Sequence, residues 1–369
     1  MKIAMVGQFP PHIGGVGVHI HSLAKELVKN KDEVFVITYP HKDIKDIDGI
    51  HVIGTKGLDI AGIRSLFFII FGTIQLIKII KKYKIDIIHG HYLFPSGLVA
   101  ILASIFTKKK VYVTSHGSDM FCLYHEHKFM QPVIKFILKK ADFILVVSEA
   151  LKKEILKLDI PNIENKIKIN WNTVDIEKFH PNNNYEFKKE LKIAENQPII
   201  LFIGNIIKRK NVTTLIEAKK LVQEDCTLVI VGDGPLLNSL KSKVEEENIA
   251  NVIFTGSRGD IERIIPSSKL LILPSFSESF GLVLIESLAC GKPVIGSNVG
   301  GIKEIITKDV GLLVEPSDCK ALANAIDLIL YDHEIYEKFQ SNARKRAIDF
   351  SSIEIPYKEY LNNKQKKEY

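Results

Sequence analysis

Two carboxylates, Glu278 and Glu286, stand on either side of a polar turn in the segment from Leu270 to Gly301. LLILP, closed by Pro274, has the continuous apolar character of a buried strand, and LVLIESLA, from Leu282, has the composition of a helix packed on a sheet. Gly281 between them lets backbone approach a ligand closely, and the helix that follows leaves its first N–H groups without partners, a place that favours an anion. Glu278 precedes the helix and Glu286 lies inside it, so they are suited to different ends of one extended ligand. Two carboxylates acting on a single glycosidic bond sit closer, ~5 to 10 Å apart.

Other strand ends carry unusual residues. After IILFIG come Asn205, Lys208, Arg209 and Lys210, three cations facing the start of a helix, VTTLIEAKK. That arrangement suits a diphosphate leaving group, whose charge grows as a glycosidic bond breaks. After VYVTS come His116, Gly117, Ser118 and Asp119, an imidazole and a carboxylate at the mouth of a sheet, where His116 can bond a sugar hydroxyl. Gly14, Gly15 and Gly17 precede an amphipathic helix and permit close approach to phosphate or acceptor, although their spacing is not the dinucleotide fingerprint. FTGSRGD places Arg258 where it can border a nucleobase, whereas VGDGP is mainly a structural turn. His89-x-His91 has the spacing of a metal-binding pair but no third ligand at a telling distance, and the only Asp-x-Asp, Asp46 and Asp48, lies in a loop before a strand. No metal and no cofactor are expected; the implied ligand is a sugar nucleotide.

Strand-like runs alternate with helical patterns throughout: KIAMV, EVFVIT, IDIIHGH, KVYVTSH and FILVVS, then IILFIG, TLVIVG, VIFTG, LLILP and PVIGS. Continuous apolar strands with crossover helices imply parallel sheets covered on both faces, and two such sets imply two doubly wound α/β domains with a cleft between them. Pro181, Asn182, Asn183, Asn184 and Pro198 interrupt the rhythm around a short helical piece, EFKKELKI, which reads as the interdomain connection. The expected domains are residues 1–178 and 179–351.

At 369 residues, 46% apolar and 25% charged, the chain suits two globular domains. Four cysteines without a CxxC pair suggest neither zinc fingers nor disulfides, and nothing in MKIAMVGQFPPH has the length of a signal peptide, so a cytoplasmic location is expected. Residues 1–178 hold 25 Lys and Arg against 17 Asp and Glu, while the remainder is nearly neutral. No nucleic-acid-binding pattern accompanies that excess. Ile63–Lys82, IRSLFFIIFGTIQLIKIIKK, is too short an apolar stretch to span a bilayer and has the character either of a core helix with basic ends or of peripheral contact with anionic membrane.

The order of these motifs resembles family four of the retaining, nucleotide-sugar-dependent glycosyltransferases. GGVGVH, HGSD, NTVDIEKF, the basic loop, VGDGP, FTG, the two glutamates eight apart, GKPVIGSNVGGIKEII and GLLVEPSD together cover nearly the whole chain. The resemblance implies the GT-B fold, two Rossmann-like domains facing across a cleft. It also implies transfer of a hexose-type unit from a nucleoside diphosphate sugar to a sugar or lipid-linked acceptor, with retention, in envelope glycan, glycolipid or polysaccharide synthesis. In this likeness Gly15 and its neighbours approach the donor phosphate or the acceptor and His116 touches the donor sugar. Lys210 binds diphosphate and Glu278 contacts the transferred sugar. Phe280, Gly281 and Leu282 supply backbone contacts, Glu286 binds the ribose, and a final helix over residues 352–369 returns to the first domain. Asn205 departs from the family's usual arginine, leaving Lys208 or Arg209 as substitutes, and Thr173 replaces a common glycine. A nucleotide-sugar epimerase and a non-catalytic nucleotide-sugar-binding partner are the alternatives.

Overall fold

A computed structural model describes residues 1–12, 14–56, 63–181 and 186–357. The chain forms two compact units, Met1–Asn172 rejoined by the chain from Ile353, and Thr173–Ser352. Asn182, Asn183 and Asn184 of the expected connection, and the part of the expected final helix from residue 358 on, lie outside the described residues.

The first unit is built on β1 (Lys2–Val6), β2 (Glu33–Thr38), β3 (His51–Gly54), β4 (Ile87–His91), β5 (Lys110–Ser115), β6 (Phe143–Val146) and β7 (Ile167–Ile169). They run in the order β3-β2-β1-β4-β5-β6-β7, every neighbouring pair parallel. Helix α1 (Gly15–Lys29) buries Val16, Ile20, Leu23, Ala24 and Leu27, one stripe at helical spacing, over Ile3, Met5, Val34 and Val36. The helix begins at Gly15, so Gly15 and Gly17 sit in its first turn instead of ahead of it. Helix α2 is Arg64–Tyr83 and α3 is Leu98–Thr107. Among the described residues no helix is long and apolar enough to cross a membrane.

After the second unit the chain returns and buries Tyr357 completely in this same core. Its hydroxyl lies 2.6 Å from Nδ1 of His89, whose Nε2 lies 2.7 Å from Thr114 Oγ1. The described residues of the expected final helix, 352–357, form a turn and no helix.

The second unit repeats the plan with β8 (Ile199–Ile203), β9 (Thr227–Val231), β10 (Val252–Gly256), β11 (Leu270–Leu273), β12 (Val294–Ser297) and β13 (Gly311–Val314), ordered β10-β9-β8-β11-β12-β13 and all parallel. Helices α4 (Val212–Lys219), α5 (Leu282–Ala289) and α6 (His333–Ile348) pack with it. In both sheets a first run of strands winds one way and the next winds back, which leaves a switch point, between β1 and β4 and between β8 and β11. Ligands of such sheets bind beyond the carboxyl ends of the strands at that point.

The sequence reading divides the chain between residues 178 and 179, whereas contacts divide it between Asn172 and Thr173. The reason lies in hydrogen bonds that no local pattern announces. Val174 N–H bonds Phe350 O at 2.9 Å, and the Arg344 guanidinium, on α6, donates to the carbonyls of Ile176, Phe179 and Ala289. Residues 174–179 are thereby fastened to the second unit. The piece EFKKELKI also belongs there as a short helix, Phe187–Glu190, with Phe187 buried.

Candidate active site

The second unit's switch point brings the sequence's two strongest signals together. The basic loop follows β8 and the glutamate turn follows β11, and these strands are neighbours, Leu270 beside Ile200 and Leu271 beside Leu201. Phe276 N–H bonds Arg209 O at 2.8 Å, Arg209 Nη1 donates to Ser277 O at 2.9 Å, and Asn211 Nδ2 donates to Pro274 O at 3.1 Å. Asn211 adopts a left-handed conformation, φ 54°, that turns the loop into α4.

Across this seam Lys210 Nζ is hydrogen-bonded to Glu278 Oε2, and Arg209 Nη1 lies 3.7 Å from Glu278 Oε1. Glu278 is buried. Burial alone would raise its carboxyl, but Lys210, Arg209 and the Ser279 amide outweigh it and hold the group below its ordinary value. Of the two candidate substitutes for the arginine absent at Asn205, Arg209 is the one at the carboxylate; Asn205 and Lys208 are exposed.

Gly281, at φ 106°, turns the chain into α5, whose first amides lack intrahelical partners and carry the helix's partial positive charge. Leu282 opens that helix, while the Phe280 side chain is turned into the core, edge-on to Phe350 at 5.6 Å. The carboxylate turn is held from behind by Gly300 and Gly301. Gly301 N–H bonds Glu278 O at 3.0 Å, and a Cβ at Gly300 would stand 1.9 Å from that same oxygen.

Glu286 lies half-buried on α5. Burial pushes its carboxyl up to about 7, with Lys178 pulling it down and Glu262 adding to the rise. A carboxyl poised near neutrality in a partly buried position is a candidate for a specific polar contact. Arg258 is occupied within the unit, with Nε and Nη2 gripping Asp260 at 2.9 and 2.8 Å and Glu190 as a further partner. Gly232 and Gly234 let the VGDGP turn lie against Gly204 and Ile206, where a Cβ would stand 1.9 and 2.4 Å from their carbonyls, a structural task.

In the first unit, His116 follows β5 and is buried beside His91, the last residue of β4. Asp119 has both oxygens engaged: Oδ1 accepts from Ser115 Oγ at 2.7 Å and Gly117 N at 3.0 Å, and Oδ2 from Leu93 N at 3.0 Å. Burial raises its pKa against these bonds. It shapes the loops that carry His116 and Tyr92, and it lines a cavity of about 260 Å³ with Gln8, Tyr39, Tyr92 and Ser118. Gly14 caps α1, and Gly17 faces the Gln8 and His12 carbonyls. The pair Asp46 and Asp48 is tied up locally, with His51 and the Val52 amide and with His21 respectively.

Residues 13–178 match the family described as Glycosyltransferase Family 4, and residues 183–346 match Glycosyl transferases group 1. N-acetyl-alpha-D-glucosaminyl L-malate synthase of Bacillus anthracis is 30% identical over 347 residues, which cover 92% of this chain and 90% of that protein. The chain belongs to glycosyltransferase family 4. Another family-4 relative, UDP-Gal:alpha-D-GlcNAc-diphosphoundecaprenol alpha-1,3-galactosyltransferase of Escherichia coli, is 29% identical over 291 residues, 76% of this chain and 75% of that one. The structure of Anabaena Alr3699/HepE in complex with UDP and glucose superposes with a TM-score of 0.81 at 21% identity, covering 96% of each chain. Sucrose-phosphate synthase from Thermosynechococcus elongatus gives the same TM-score at 23% identity, over 95% of this chain and 94% of that one. At such identities the likeness is one of fold, and that fold is GT-B. This family-4 chain is therefore a glycosyltransferase.

Three parts of the site were missed in the sequence reading. Asn211 had a visible signal, an asparagine directly before a helical run. Gly300 and Gly301 follow a buried strand, and a glycine pair there is itself a sign of close backbone approach. His19 on α1 stands beside His91 and His116, and nothing in its local pattern distinguishes it from a helix-surface histidine.

Proposed function

We propose that this glycosyltransferase moves a hexose-type sugar from a nucleoside diphosphate sugar to an acceptor hydroxyl with retention, in the synthesis of an envelope glycan, glycolipid or polysaccharide. The observation that carries the reading is the meeting of Lys210, Arg209, Glu278 and the start of α5 at the second unit's switch point. Two cations and a helix N-terminus suit a pyrophosphate, and Glu278, positioned by those cations, suits the hydroxyls of the sugar beside it. Lys210 and the α5 amides stabilise charge on the leaving diphosphate, so no divalent metal and no cofactor are needed for transfer. A donor phosphate oxygen accepts the acceptor's proton as the glycosidic bond breaks and the new bond forms on the same face. Glu286 binds the ribose, and Arg209 stands in for the arginine missing at Asn205. Gly15 near the donor phosphate, Arg258 near the base, His116 toward the sugar, and Gly14, Gly17 and Asp119 on the acceptor side complete the proposal.

Incubation with a panel of UDP-, GDP- and ADP-sugars tests it. Stabilisation by one donor class and slow donor hydrolysis are expected, and a ligand at 100 times its dissociation constant stabilises by ~2.7 kcal/mol. A chain that binds none of them, or converts donor to its epimer without transfer or hydrolysis, overturns the reading.

The ribose assignment has its own test. A carboxylate accepts two ribose hydroxyls where a carboxylic acid accepts less well, so donor binding releases a proton from Glu286 below its pKa of about 7. Affinity for the preferred nucleotide sugar, whose phosphates do not titrate in this range, should fall about tenfold from pH 8 to pH 6. The dependence should vanish in Glu286→Gln. The same raised pKa makes the buried carboxyl compatible with stability below its ordinary 4.5 and increasingly unfavourable as pH rises toward about 7.

Peripheral contact with the cytoplasmic face of an anionic membrane belongs to the proposal as well. On α2, Leu66, Ile70 and Ile74 are 58, 47 and 46% exposed at four-residue spacing, and Lys78, Lys81 and Lys82 at its end are exposed too. Such a face suits a lipid-linked acceptor, the kind named in the E. coli relative. Vesicles containing phosphatidylglycerol should carry the protein upward on flotation at low salt and release it at high salt; protein left at the bottom at low salt removes this element.

A further inference from the structure

The first unit's switch point gathers three imidazoles that the proposed transfer does not fully use. His19 projects from α1, His91 ends β4 and His116 follows β5. One ring nitrogen of each lies within 4.8 Å of those of the other two, and His91 Nδ1 and His116 Nε2 are 3.4 Å apart. Nε2 of His19 is buried without a hydrogen-bond partner. His89 stands beside them but has both nitrogens engaged, by Tyr357 and Thr114.

We propose that His19, His91 and His116 form a site for one divalent transition-metal ion of the zinc class. Zinc binds imidazole nitrogens at 2.0–2.1 Å in tetrahedral geometry, which sets neighbouring ligand nitrogens ~3.3 Å apart. The His91–His116 pair already has that spacing, and rotation of the partly exposed His19 ring closes the rest. Burial and the neighbouring imidazoles hold His91 and His116 well below the ordinary histidine value, and burial brings His19 to about 4. Three imidazoles without a carboxylate select zinc, nickel or copper over magnesium or calcium. The fourth position is left to water or to a ligand. Tyr92, whose ring is 5.3 Å from that of His116, separates the site from the 260 Å³ cavity. A bound ion takes His116 from the sugar and so inhibits transfer; that inhibition rests on the proposed reaction, whereas the binding does not.

Chelator-stripped full-length protein, free of any histidine tag, is dialysed against zinc and titrated with Co²⁺. One ion per chain, tetrahedral Co²⁺ absorption and no competition from excess Mg²⁺ are expected. His19→Gln and His91→Gln should each weaken binding at least tenfold, since changes behind a ligand alone cost 10–100-fold. His21→Gln, on the same helix but paired with Asp48, should bind as the parent does. Substoichiometric binding by the parent, or tight binding that survives His19→Gln, overturns the site. Should His91→Gln fail to fold, His19→Gln decides by itself. Stoichiometric zinc without chelator-reversible inhibition would uphold the site and overturn its competition with the sugar for His116.

Discussion

Lys210→Met should lower the rate of sugar transfer at least a hundredfold while leaving the chain folded. Losing one preorganised group that stabilises developing negative charge costs about 10²–10³ in kcat, and Lys210 is the cation in direct contact with Glu278. Stability should fall too, because Glu278 remains buried with only Arg209, at 3.7 Å, to balance it. Breaking a buried pair from one side costs about 3–5 kcal/mol; the Lys210 side chain is 15% exposed, which places this case toward the lower end. The two effects separate in Lys210→Met/Glu278→Gln, where no buried charge is orphaned. The double variant should regain most of the lost melting temperature and remain at least a hundredfold slow in single-turnover assays. Recovery of rate together with stability would reduce the pair to a structural fastening. Glu278 also gives a pH signature. Its pKa is depressed in the folded protein, so its contribution is present above the ordinary value of 4.5 and is lost as pH falls through the folded value. Acid should destabilise the parent more than it does Lys210→Met.

Gly300→Ala should cripple the same turn from the opposite side. The position has φ +46°, a left-handed conformation that costs an L-residue about 1–2 kcal/mol. The added methyl group would stand 1.9 Å from Glu278 O, so backbone must move, and the bond from Gly301 N to that oxygen moves with it. Displacing a reacting constellation by about 1 Å is enough to cost 10²-fold. The expected result is a melting temperature lower by at least ~4 °C, from about 2 kcal/mol of strain and lost hydrogen bonding, and a kcat/KM about a hundredfold down. Gly256→Ala is the matched control. It also has a left-handed backbone, φ +74°, but nothing lies within 4 Å of its would-be Cβ. Equal losses of activity in the two variants would show that backbone strain alone, and not displacement of Glu278, is responsible.

Ten strands were legible because buried parallel strands are continuous apolar runs. Of the other three, β3 was read only as the strand after the Asp46–Asp48 loop, without bounds, and β7 and β13 were missed; all three are edge strands of three or four residues with mixed exposure. The residues of the proposed donor loop stood out in the sequence because strand ends in this architecture are where ligands bind. Their partnership did not: Lys210 and Glu278 are 68 positions apart, and only the adjacency of β8 and β11 unites them. Arg258 and Asp119 were chosen as chemistry-bearing types in the right loops, yet Asp260 and Glu190 hold the first, and three donors engage the second. Residue type and strand position locate a site, whereas the division of labour among its charges depends on contacts between distant segments. The third histidine shows the same limit, since His19 lies on an ordinary amphipathic helix until the sheet order sets it beside β4.

Tyr357 gives the chain a sequence in time. A ribosome releases residues 1–172 long before residue 357, so throughout synthesis of the second unit the nascent first unit carries an open slot where the phenol belongs and a His89 whose Nδ1 faces that slot. Refolding of a fragment ending at Asn172 therefore lacks the plug that completes its own core, and supplying the missing segment in trans, as a peptide beginning at Ile353, should rescue it.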